Sequence, residues 1–175
     1  RLHSTRTRDY WAAGASSVLF YMAVYIVMTL GTFLCVLRLR GEDGEPLEAI
    51  DSLSGLSQSR PGLAAAIAIF MFSLAGIPPL LGFWPKLVVF RAALEQHLYL
   101  LAVVGFLGSV VGAFYYIKIV KVMYFDAPGR PLAKAGISRL EGLFILVAAL
   151  IVSPLGYLLI GPLATLADNA AGSLF

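Results

Sequence analysis

Charge is what this sequence has least of. Only 13% of its 175 residues are Asp, Glu, Lys or Arg and 59% are hydrophobic, whereas soluble globular domains carry about 25% charged residues. A soluble fold is thereby excluded. Cysteine occurs once, at Cys35 in an apolar run, so neither an intrachain disulfide nor an iron–sulfur site can be built from this chain's cysteine alone. The two histidines, His3 and His97, lie far apart with no carboxylate cluster near either, and no metal site is legible. There is no initiator methionine, and Arg1–Asp9 is basic and polar without the apolar core of a signal peptide. The chain reads as part of a larger protein or a cut gene product, with residues 1–10 a polar segment that could be foreign to the original fold. Internal repeats and low-complexity tracts are absent. A net charge of +3 and a pI of about 9.1 admit a nucleic-acid partner. The basic residues, however, sit in short segments between apolar runs, without the aromatic interleaving that tracks a phosphate backbone, so no nucleic acid is expected.

What is present is apolar length, with a mean hydropathy of +0.86. The sequence predicts an all-α, polytopic membrane protein whose transmembrane domain fills residues 11–175. Four spans are expected, at about 11–37, 61–96, 98–125 and 142–167, since ~20 apolar residues cross ~30 Å of hydrocarbon. In the first, Tyr21, Tyr25 and Thr29 fall at i, i+4 and i+8, hence on one face. That face is either a polar stripe toward a water path or a helix–helix hydrogen-bonding seam. Between the first two spans the loop 38–60 mixes charges of both signs, and apolar spacing over Pro46–Leu56 predicts a short surface helix. The third span carries Gly105, Gly108, Ser109 and Gly112, including a small-xxx-small pattern for close packing. Tyr115 and Tyr116 near its end suit either an interfacial belt or a hydrogen-bonded path. In the fourth, Pro154 predicts a kink or short break. Arg38, Arg40, Arg60, Lys118, Lys121, Arg130, Lys134 and Arg139 all fall in or beside the two longer loops. The positive-inside rule places those loops in the cytoplasm and both termini on the outer, periplasmic side.

The second span is the unusual one. Gly76-Ile77-Pro78-Pro79 and Gly82-Phe83-Trp84-Pro85 interrupt it near its middle, because proline lacks the N–H and clashes with the carbonyl four residues back. Broken backbone at membrane depth is tolerated where it lines a cavity or is buried in protein. The break is expected near 76–85, between half-helices at 61–76 and about 83–96, with Gly76, Pro78, Pro79, Gly82 and Pro85 bordering a water path. Lys86 follows directly and is the one charge between Arg60 and Arg91. Desolvation disfavours the charged form of a buried amine, which suits lysine to accept and release a proton as nearby charge or hydration changes. The plainer reading is a kinked anchor whose lysine snorkels to the interface. Lys86 is the expected proton relay, and Tyr25, Tyr115 and Tyr116 are possible members of a polar path.

These residues resemble a known family. Met71-Phe-Ser-Leu-Ala-Gly-Ile-Pro-Pro-Leu-Leu-Gly-Phe-x-x-Lys86, preceded by Phe20-Tyr-Met-Ala-Val-Tyr-Ile-Val-Met-Thr-Leu-Gly31 and followed by Gly112-Ala-Phe-Tyr-Tyr-Ile-Lys-Ile-Val-Lys-Val-Met-Tyr-Phe-Asp126, is similar to the antiporter-like membrane subunits. In particular it resembles subunit N of the proton-pumping NADH:quinone oxidoreductase, respiratory complex I. The resemblance runs from about Ser17 to the end. It implies the last four of fourteen helices, with Lys86 as the lysine of a discontinuous helix in the half-channel toward the positive side of the membrane. It further implies a non-redox translocase subunit in a bacterial or mitochondrial inner membrane, surrounded by lipid and other membrane-arm subunits. NADH, FMN, iron–sulfur clusters and quinone would be bound by other subunits, and no cofactor or metal by this one. Two departures stand out. Pro85 replaces the glycine that the family usually has before the lysine, and proline restrains Trp84 from helical geometry. The family's earlier lysines and glutamate have no counterpart here, so this chain alone should not pump. The alternatives are an antiporter-like subunit of a cation/proton antiporter or membrane-bound hydrogenase complex, and a purely structural membrane scaffold.

Overall fold

The computed structural model describes residues 2–41, 49–128 and 138–156, with 158, 161–162, 165–166 and 169–170; side chains are described for Ala15 and Ser16 and from Val18 onward. Every regular element among these residues is helical: α1 (Leu2–Val36), a 3-10 turn (Ile50–Leu53), α2 (Leu56–Ser59), α3 (Pro61–Ala75), α4 (Phe83–Glu95), α5 (Tyr99–Phe125), α6 (Arg139–Val152) and a 3-10 turn (Pro154–Gly156). Two helical stretches, Val18–Val36 and Tyr99–Phe125, are long and apolar enough to cross a membrane.

Local chemistry sets these bounds. Pro61 opens α3 at its first position, where the missing N–H is one the helix could not pair anyway. α6 begins at Arg139, three residues before the expected start. The reason is a reciprocal cap: Ser138 Oγ accepts from the Glu141 N–H at 3.3 Å, and the Glu141 carboxylate accepts from the Ser138 N–H at 3.2 Å. α6 then stops at Val152, because Pro154 diverts the chain into a 3-10 turn. α1 starts at Leu2, upstream of the apolar run. The expected surface helix at 46–56 takes a different form, with a 3-10 turn at Ile50–Leu53 and a single α-turn, α2, beginning where it was expected to end. Its first residues, 46–48, lie outside the described ones, as do Arg130 and Lys134.

α3 is the centre of the bundle and packs against α1, α5 and α6. Its buried Ile67, Phe70 and Met71 join Val24 and Met28 of α1, Met123 of α5 and Val152 of α6 in one core. By contrast α5 carries no charge before Lys118, and Leu101, Val104, Leu107, Val111 and Phe114 are exposed, the pattern of a helix whose outer surface meets lipid or another helix. Of its small residues, Gly105 lies against Phe90, whereas no atom of the described residues comes within 4 Å of the Cβ position of Gly108. The two long connections meet at one end: Arg38, just past α1, pairs with Glu141 of α6, and Arg60 donates to the Arg38 carbonyl at 3.3 Å.

α1 and α3 touch most closely where the buried Phe70 ring covers Gly31. A Cβ at residue 31 would overlap that ring, and overpacking of this kind costs about 1–3 kcal/mol. Gly31→Ala should therefore lower the thermal stability of the detergent-solubilised protein. Adding Phe70→Leu should restore part of the loss, as read by the aggregation temperature of single and double variants.

Candidate functional site

The break between α3 and α4 is exposed at Pro78 and Pro79 and buried at Leu81 and Gly82, and its backbone donors can be followed one by one. Gly76 closes α3 in the left-handed conformation, φ 83° and ψ 35°, which glycine adopts without a Cβ penalty. The Gly76 N–H donates to the Ser73 carbonyl at 2.9 Å and the Ile77 N–H to the Phe72 carbonyl at 3.1 Å, a Schellman closure. Pro78 and Pro79 carry no N–H. The Leu80 N–H donates to Ile77 at 3.0 Å, and the Leu81 N–H reaches across to the Val152 carbonyl of α6, also at 3.0 Å. The Gly82 N–H donates to Ser73 Oγ at 2.9 Å. The Phe83 and Trp84 N–H groups return to the Leu80 and Leu81 carbonyls at 3.1 and 3.3 Å. Pro85, again, has no donor to place. No backbone donor from Gly76 to Pro85 is left over, which is the condition for irregular backbone in a medium without water.

This accounting explains the prolines and corrects the expectation for Pro85. Trp84 and Pro85 are both helical, and α4 begins at Phe83. Pro85 occupies the first turn, where a missing N–H removes an orphan donor instead of breaking a ladder bond.

The acceptors lead to Lys86. An α-helix leaves its last four carbonyls without helical partners, and in α3 these belong to Phe72, Ser73, Leu74 and Ala75. The Schellman closure takes the first two. Lys86 Nζ donates to the Leu74 carbonyl at 2.7 Å and to the Ala75 carbonyl at 3.3 Å, completing the set. The ammonium thus sits on the C-terminal, negative end of the α3 dipole, where a cation gains about 0.3–1 kcal/mol when exposed and up to ~2 kcal/mol when partly buried. Lys86 is itself half-buried and makes no ion pair with another described residue. Gly76 gives it passage, since a Cβ there would stand 3.1 Å from Lys86 Cδ.

The proposed tyrosines divide. Tyr25 and Tyr116 face one cleft, and Tyr21 stacks on Tyr25 with ring centroids 5.3 Å apart. That cleft, of about 380 Å³ between α1, α3 and α5, is lined also by Thr29, Thr32, Met71 and Leu74. Leu74 therefore joins the two features: it walls the cleft, and its carbonyl holds Lys86. Tyr115 lies apart, exposed and edge-on to Phe114. Pro78 and Pro79 are exposed and Pro85 is buried. Among the described residues no three His, Cys, Asp or Glu side chains cluster as a metal site would need.

Sequence reasoning passed over Ser73, which is fully buried; its hydroxyl accepts from Gly82 and donates to Met28 Sδ at 3.0 Å. A serine within an otherwise apolar run, three residues before a helix-ending glycine, was the available signal.

The family model described as NADH:quinone oxidoreductase/Mrp antiporter, TM, matches residues 10–112. NADH-quinone oxidoreductase subunit N of Rhizorhabdus wittichii is 60% identical over 164 residues, which is 94% of this chain and 34% of that protein. Subunit N of Erythrobacter litoralis is 54% identical over 93% of this chain and 33% of its own length. Subunit N 1 of Rhizobium meliloti is 51% identical, again over 93% and 33%. The chain spans about a third of the length of these curated relatives. A chain of respiratory complex I from Thermus thermophilus with bound aureothin shares the fold at a TM-score of 0.68. That match covers 79% of this chain and 31% of the other, at 24% identity. With more than half of its residues matched by one family model, the chain belongs to the NADH:quinone oxidoreductase/Mrp antiporter family of transmembrane proteins.

Proposed function

We propose that this chain is part of the membrane arm of an NADH:quinone oxidoreductase and takes part in proton translocation, with Lys86 as a relay. The observation that carries this reading is an ammonium held by two backbone carbonyls at a helix break whose donors are all otherwise satisfied. Such a site binds a cation-sized charge through contacts that a proton transfer weakens, and Leu74, whose carbonyl takes part in it, also walls the cleft that Tyr25 and Tyr116 line. An intramembrane lysine with no function would be costly to keep, about 2.5–3.5 kcal/mol at a helix centre.

The membrane arrangement follows from lengths. At about 1.5 Å per residue, the 15 residues of α3 and the 13 of α4 fall short of ~30 Å of hydrocarbon singly. Together they make one broken crossing beside those of α1, α5 and the α6 region. Four crossings bring the basic connections to the cytoplasmic face of a bacterial inner membrane and both ends of the chain to the outer face. Other membrane-arm subunits are the partners. NADH, FMN, iron–sulfur clusters and quinone belong to other subunits, so the part played here is translocation without redox chemistry. A cation/proton antiporter subunit would share the family model, but three relatives at 51–60% identity that carry the name subunit N support the oxidoreductase. The test is proton pumping in membrane vesicles containing the assembled complex. Native pumping by Lys86→Ala would reduce the chain to a scaffold.

A further inference from the structure

Lys86 reaches the Leu74 and Ala75 carbonyls only if the start of α4 is held against the end of α3. The seven residues between the two helices include two glycines, so the chain itself does not enforce that register. One side chain does span the gap. Ser73, the one buried polar residue among the described ones, lies near the end of α3, and its Oγ accepts from the Gly82 N–H at the N-cap of α4. The same hydroxyl donates to Met28 Sδ of α1, which orients its lone pairs toward Gly82. Gly82 is matched to this contact, because a Cβ there would stand 2.6 Å from Ser73 Oγ and 2.8 Å from Met28 Sδ. α4 has no side-chain cap of its own at this end. Ser73, from the preceding half-helix, serves in that place.

We infer that Ser73 is a positioning residue for Lys86: its hydroxyl locks the α4 N-terminus to α3 and α1 so that the ammonium falls on the two free carbonyls. Its hydroxyl bonds Gly82 and Met28 and acts on Lys86 through Gly82. The inference rests on the relay reading of Lys86.

Removing the hydroxyl leaves the Gly82 N–H buried without a partner, a disfavoured state. The linker escapes that state by leaving the register, and the lysine-on-carbonyl arrangement becomes a minor population. In vesicles carrying the assembled complex, Ser73→Ala should lower the pumping rate per assembled complex about tenfold. Ser73→Thr keeps the hydroxyl and should retain pumping within about threefold, the added methyl being the only burden. Should Ser73→Ala fail to assemble, Ser73→Cys fills the space with a weak acceptor. An intermediate loss of pumping in that variant supports the proposal, and native pumping overturns it. Native pumping by Ser73→Ala in a preparation where Lys86→Ala is inactive overturns the positioning role and leaves the relay intact. Equal losses in Ser73→Ala and Ser73→Thr overturn it too, since the hydroxyl would then be irrelevant. Native pumping by Lys86→Ala removes the relay reading itself.

Discussion

Lys86→Arg is expected to assemble into the complex and to fail at pumping, whereas Lys86→Ala should fail at pumping and lose stability as well. The two variants separate the cap that Lys86 forms from the relay proposed for it. As a cap, it supplies N–H donors to the Leu74 and Ala75 carbonyls, and hydrogen bonds with a charged partner contribute about 1.5–3 kcal/mol. Arginine offers five donors on a longer stem and can close the same carbonyls, but its guanidinium stays protonated in proteins. It keeps the cap and gives up the proton. Alanine gives up both, leaving two carbonyls at the end of α3 without this donor. A positioned proton-transfer group contributes on the order of 10²–10⁴ in rate, so proton pumping should fall by at least an order of magnitude in both variants. The apparent melting temperature of the solubilised complex should fall for alanine alone. Active pumping by Lys86→Arg would mean that a fixed positive charge suffices, and the relay would have to lie elsewhere.

The class of the fold and the site of the break were legible because they depend on local signals: apolar length, proline positions, and one lysine in the otherwise uncharged stretch between Arg60 and Arg91. The partners that make the break stable were not. The bond from the Leu81 N–H to the Val152 carbonyl joins residues 71 positions apart, and nothing in either stretch announces the other. With hindsight the two breaks complement each other. Pro154 ends α6, so the Val152 carbonyl has no helical partner, and the α3–α4 linker has a donor to give it. Pro85 was misread because its rule was applied without position. A proline that disturbs a helix interior is harmless in the first turn, and only the start of α4 at Phe83 decides which applies. The tyrosines show the same limit. Tyr115 and Tyr116 are equivalent as residues, yet a 100° step around α5 puts one in the cleft and leaves the other exposed.

Gly76 is the second position at which a small change should have a large effect. Two separate demands meet there. Its backbone lies at φ 83°, where an L-residue other than Asn or Asp loses about 1–2 kcal/mol. A Cβ would also come within 3.1 Å of Lys86 Cδ and 3.4 Å of Nζ, tight enough that the Lys86 stem must shift by a few tenths of an ångström against its carbonyl contacts. Gly76→Val faces both obstacles and a stiff β-branched side chain besides, so the complex should be sharply depleted in membranes. Gly76→Asn separates them. Asparagine accepts the left-handed conformation, so the end of α3 should survive and the complex should assemble. Its side chain still crowds the Lys86 stem, and the pumping rate per assembled complex should drop severalfold. Gly76→Ala should fall between the two in assembly. Near-native assembly by Gly76→Val would mean that the left-handed turn is not needed to close α3. Full pumping by Gly76→Asn would mean that the lysine works from a position other than the two carbonyls. Because the backbone demand is read in the amount of complex and the side-chain demand in the pumping of what has assembled, the two do not mask one another.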